Sequence, residues 1–157
     1  MKRLTCILIF SFCIFHIALS QVPPDRDGLL NAEGMGQARV AELNGYPGAK
    51  HVLELAKELS LTEGQKKSVR EIYEEMRTRV KELGKRIIDI EEEMNDAFKD
   101  GLVSAKSISD DAEQVGKLRG RLRAVHLVAH LRTKNVLTTK QIELYKKLRK
   151  TEQPVKK

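Results

Sequence analysis

The stretch 61–97, LTEGQKKSVREIYEEMRTRVKELGKRIIDIEEEMNDA, decides the fold. Val69, Tyr73, Met76, Val80, Leu83, Ile87, Ile90, Met94 and Ala97 recur at alternating spacings of four and three residues. A 3.5-residue period is the seam of a helix that packs along its whole length against another helix. Roughly 36 residues at about 1.5 Å rise give a rod on the order of 50 Å long. Its start is marked as well. Thr62 is placed to cap the helix, Gln65 falls at the third helical position, and Leu61 precedes the cap. A Thr hydroxyl and a Gln side chain at that spacing form a capping box, and the leucine staples onto the first turn. Arg70–Glu74 and Glu75–Arg79 are helix-spaced opposite charges on the outer face.

Downstream, KDGLVSAKSISDD at 99–111 breaks the period. Gly101 suits the left-handed position just past a helix end. Ser109 or Asp110 is expected to cap the next helix, which runs to Lys134. Val115, Leu118, Leu122, Val125 and Ala129 repeat the three–four spacing and answer the first seam. Two long antiparallel helices therefore form a hairpin. LTTKQ at 137–141 then repeats the LTEGQ device and opens a last helix, 139–150, with Ile142, Tyr145 and Leu148 on one side. Upstream, AKHVLELAKEL at 49–59 reads as a short helix with the stripe Val52, Leu55, Ala56 and Leu59. Residues 21–48 are rich in Pro, Gly and Asn without a sustained period, and read as a flexible segment holding at most a short helix. The expected class is all-α: an antiparallel long-helix hairpin with short flanking helices over 49–150, followed by a disordered basic tail at 151–157.

Composition agrees. Hydrophobic residues make up 41 % of the 157-residue chain, but aromatics only 4 %, and Trp is absent. Long helices packed through Leu, Ile, Val and Met suit that mixture better than a sandwich or barrel. Residues 1–20 read as a cleaved secretory signal peptide: the basic MKR, the apolar LTCILIFSFCIFHIA, and the small-x-small site Ala18-Leu19-Ser20. Cys6 and Cys13 both lie there, so 21–157 has no disulfide, thiolate ligand or Cys nucleophile. The net charge of +7 includes Lys2 and Arg3, which leaves a mildly basic remainder. A solvated helical surface accounts for it, and export argues against a nucleic-acid partner.

Leu61-Thr62-x-x-Gln65 and Leu137-Thr138-x-x-Gln141 together resemble the paired LTxxQ signature of the Spy/CpxP family of periplasmic chaperones and stress regulators, and the related CnrX-type periplasmic heavy-metal sensors. The resemblance spans roughly 48–150. It implies a hook-shaped all-α protomer in the periplasm, often an antiparallel homodimer, whose concave basic face holds unfolded or misfolded proteins without ATP. Lys66, Lys67, Arg70, Arg77, Arg79, Arg119, Arg121 and Arg123 supply positive charge near both rods. For any one of them, a solvated face is the competing explanation.

His126 and His130 sit four residues apart and share a helix face. Two imidazoles at that spacing can share a Zn, Ni, Co or Cu ion. The metal-sensing relatives place a His and a Met one turn apart near here, with a His pair on the first short helix and a Glu on the long helix. In this chain, the resemblance would assign His126, His130, His51 and either Glu74 or Glu75. Position 55, one turn after His51, is Leu and cannot ligate. The alternative function is then a periplasmic metal sensor or resistance protein that reports to a membrane-bound sensor or anti-sigma partner. The competing explanation is histidines packed at a helix interface. HLVAH lacks the Glu of a metalloprotease helix. With no phosphate-binding Gly loop, GxSxG or thiol either, no enzyme is expected.

Overall fold

The computed structural model describes residues 22–152, with side chains through Arg149. Six helices follow in order: α1 (Arg26–Asn31), α2 (Arg39–Leu43), α3 (Ala49–Glu54), α4 (Glu63–Lys99), α5 (Ala105–Val136) and α6 (Thr139–Glu152). There is no strand among the described residues. Helices α4 and α5 form the expected antiparallel hairpin, so the fold is all-α. The expected signal peptide at 1–20 lies outside the described residues. Helix α6 runs two residues into the expected tail, and the rest of that tail also lies outside them.

The turn between the rods forms as Gly101 requires. Its φ is +68°, the Gly101 amide donates to the Phe98 carbonyl at 3.3 Å, and the Leu102 amide donates to the Ala97 carbonyl at 2.9 Å. This is a Schellman closure with glycine in the left-handed position. The second rod starts earlier than its sequence signals. Ser104, rather than Ser109 or Asp110, caps α5, and Ser107 completes a capping box with it. Asp110 is one turn inside, paired with Lys106. The earlier Ser–x–x–Ser wins because it satisfies two end amides reciprocally.

The seam buries Val69, Val80 and Ile87 from α4, and Val115, Leu118, Leu122 and Ala129 from α5. Ile72, Gly84, Ile88, His126, His130 and Thr133 are buried as well, off the predicted stripe. For Gly84, Ile88 and the histidines, the reason is the segment 22–48. It is not a free tail: it lies as a strap across one face of the hairpin. Leu29 is fully buried among Val80, Ile87, Ile88, Leu118 and Leu122. The Leu29 backbone comes so close to Gly84 that a Cβ there would stand 2.7 Å from the Leu29 carbonyl oxygen. Asp25 takes both arms of the Arg119 guanidinium at 2.7 and 3.0 Å, and Arg26 pairs with Glu92. A bidentate ion pair and one leucine at a glycine gap hold a segment that local propensity leaves unassigned.

A second cluster fills the open end of the hairpin. It joins Ala49 and Val52 of α3, Leu59, Leu61, Val69, Ile72, Ala129, Leu137 and Tyr145 of α6. Helix α3 stops at Glu54 rather than running to 59. The chain turns through 55–60 with Ser60 at φ +50°, which lets Leu59 and Leu61 both point into the cluster.

Candidate functional site

The two LTxxQ motifs meet. Each glutamine first completes its own capping box: the Thr62 amide donates to Gln65 Oε1 at 3.1 Å, and the Thr138 amide to Gln141 Oε1 at 2.9 Å. The two side-chain amides then pair reciprocally. Gln65 Nε2 donates to Gln141 Oε1 at 2.9 Å, and Gln141 Nε2 donates to Gln65 Oε1 at 3.0 Å. The remaining protons go to backbone carbonyls, Gln65 Nε2 to Val136 at 3.0 Å and Gln141 Nε2 to Leu59 at 3.2 Å. Leu61 and Leu137 are buried beneath this clasp. Every polar site of both amides is used at the half-buried junction, so the chemistry of the motif is structural. It ties the start of α4 to the start of α6 across 76 residues of sequence.

The histidines converge without completing a metal set. His126 and His130 are both buried, at 4 % and 8 % exposure. His130 Nδ1 lies 2.8 Å from the Tyr46 carbonyl of the strap. The rings of His130 and His51 flank Gly48, where an added Cβ would stand 3.3 Å from His130 Nε2 and 3.6 Å from His51 Cδ2. His51, His126 and His130 all line an open cavity of about 680 Å³ between strap and hairpin, together with Met35, Tyr73 and Met76. The expected carboxylates do not join them. Glu75 is held by Arg132 at 2.7 Å and Glu74 faces Arg77. His51 itself is paired with Glu54 at 2.9 Å. Among the described residues, no group of three His, Cys, Asp or Glu side chains is close enough to hold a metal ion. The donor set that the sensor resemblance implies is therefore not assembled here.

The cationic residues divide. Arg119 clamps the strap and also reaches Glu91 at 3.7 Å, so its role is structural. Its guanidinium holds the Asp25 carboxyl below the usual range. Lys66 is paired with Glu63, and Arg77 stacks over Tyr73 at 5.5 Å. Arg70 and Arg123 are exposed.

A groove that the sequence did not announce lies on the hairpin face away from the strap. Ile72, Met76, Val125, Val128 and Ala129 floor it, and Arg79 and Arg132 edge it with Glu75 between them. Its volume is about 180 Å³. Val128 is 51 % exposed, and nearby Leu131 is 48 % exposed. The signal was present in the second rod: Val128 and Leu131 lie off the seam in a helix otherwise polar on that side. Off-seam apolar residues mark a surface when the strap covers the opposite side. No helix among the described residues is long and apolar enough to cross a membrane. Neither a family model, nor a curated protein, nor a solved structure matches this chain.

Proposed function

We propose that the protein is an ATP-independent, Spy/CpxP-like binding protein that holds partly folded chains on the uncovered face of its hairpin. One observation carries the reading: an apolar groove of Val125, Val128 and Ala129, with Val128 half exposed at its mouth, edged by Arg79 and Arg132. Exposed apolar surface ringed by charge suits loose, sequence-tolerant contact with unfolded segments. Charge distribution supports it. Residues 114–149 carry ten Lys and Arg against one Glu, whereas 89–113 carry nine Asp and Glu against two Lys. The groove thus belongs to the basic end of the rod and attracts acidic clients from a distance. The secretory reading of residues 1–20 places this activity in the periplasm, and the family resemblance implies a homodimer that widens the cradle.

The test is suppression of aggregation by the purified protein, using an unfolded acidic test protein at near-stoichiometric ratio without nucleotide. Wild-type protein is expected to suppress it, and Val128→Asp combined with Arg132→Glu to weaken suppression severalfold while the circular dichroism of the hairpin is kept. Failure of the wild type at every ratio, or equal activity of the variant, would sink the proposal.

A further inference from the structure

Residues 51, 126 and 130 are all the histidines from position 22 onward, and they meet where the strap and α3 cross α5. We propose that buried His126 makes this seam an acid-operated latch, and that in mildly acidic solution the segment 32–48 lifts off the hairpin while the Leu29 anchor stays.

The geometry makes a proton costly at one atom. His126 Nε2 is sealed from solvent and has no hydrogen-bond partner. A neutral imidazole tolerates that position, whereas an imidazolium has two N–H donors and a charge to satisfy. One turn on, His130 makes a polar contact with the strap, at the Tyr46 carbonyl. Another turn on, the Lys134 ammonium sits 3.7 Å from the centre of the Tyr46 ring. Residues 126, 130 and 134 thus form one ladder beneath the strap, and its last rung is already cationic.

The surrounding charges give little relief. The strap presents Glu33, Arg39 and Glu42; α3 presents Lys50 and His51; α4 presents Tyr73 and Arg77. Glu33 and Glu42 are exposed to water, and Glu54 occupies His51. The site therefore lacks a buried counter-ion for His126. In keeping with this, burial, and secondarily the charge of His130, push the His126 pKa down. The open form then takes up a proton first as the pH falls through the ordinary histidine range. Docking is undiminished above that range and weakens below it.

Backbone strain and open space coincide in this segment. Ala32 and Met35 hold left-handed backbone at φ 54° and 41°, which L residues rarely adopt, and the cavity of about 680 Å³ lies beneath. The Asp25–Arg119 clamp responds only at much lower pH, since the Asp25 carboxyl is held below its usual value. Opening is therefore confined to 32–48 and uncovers Tyr73 and Arg77 of α4. The client groove rests on Arg79, Val128 and Arg132, which do not line this cavity, so the latch stands or falls apart from the proposed function.

The test is hydrogen exchange on the full chain at about pH 7.5 and about pH 5.5, corrected for intrinsic rate. The reporters are the Glu42, Asn44 and Tyr46 amides, all hydrogen-bonded in the docked strap. Their protection is expected to fall roughly tenfold in the wild type relative to α4–α5 amides, and to hold in both His126→Gln and His126→Leu. Unchanged protection in the wild type, or an equal fall in either folded variant, overturns the latch. Client suppression at about pH 7.5 in the same variants separates this outcome from failure of the client reading.

Discussion

Replacing Gln65 with Ala removes four hydrogen bonds at once. Lost are the capping bond from Thr62, the bond to the Val136 carbonyl, and the reciprocal pair with Gln141. A typical bond contributes about 1 kcal/mol net, and water replaces part of it at a half-buried site. The expected loss is about 2–3 kcal/mol in urea unfolding, and Gln141→Ala should cost about the same. The double variant decides the issue. The two amides share one pair of bonds, so removing both should cost about 1–2 kcal/mol less than the two single losses added together. Gln65→Glu adds a control: it keeps an acceptor for the Thr62 amide but loses both donated bonds, so it should resemble Ala more than wild type. Additivity of the Gln65 and Gln141 effects within about 0.5 kcal/mol would refute the clasp and reduce each motif to an independent helix cap.

Three further outcomes follow from the strap and the caps. Gly84→Ala should favour the helix by up to about 1 kcal/mol yet push Leu29 out of its gap, so limited proteolysis within 22–48 should quicken while the hairpin resists. Ser104→Ala should cost about 1 kcal/mol in thermal unfolding and Ser109→Ala almost nothing, because only Ser104 caps α5. The Asp25–Arg119 pair should stabilise the strap above the ordinary Asp pKa of 3.8, and that contribution should fade as the pH falls through the lowered folded value. Arg119→Ala should remove this acid dependence, at about 1 kcal/mol or less since both partners are about a third exposed.

The hairpin was readable because its information is local. The four–three spacing from Val69 to Ala97, Gly101 past the helix end, and Thr62 and Thr138 as caps each act through neighbours within a turn or two. The strap was not readable for the opposite reason. Nothing near Leu29 says that it is buried; its pocket is made by Gly84, Ile88 and Leu118, more than 50 residues away. A glycine in the middle of a long helix was the one available hint. The histidines fall between these cases. Their spacing gave the shared face, but only the tertiary structure decided that Tyr46 meets His130 while Glu74 pairs with Arg77 and Glu75 with Arg132.

By itself the sequence determined the two rods, their antiparallel return and the start of the last helix, since periodicity and capping are properties of a single segment. It also placed Leu-Thr-x-x-Gln twice. Only the tertiary structure decided that the two glutamines would bond each other, that residues 22–48 would cover one face, and that the groove at Val128 would stay open on the other. Those outcomes depend on which distant surfaces come together, and the free energy of such contacts is not a property of either segment alone.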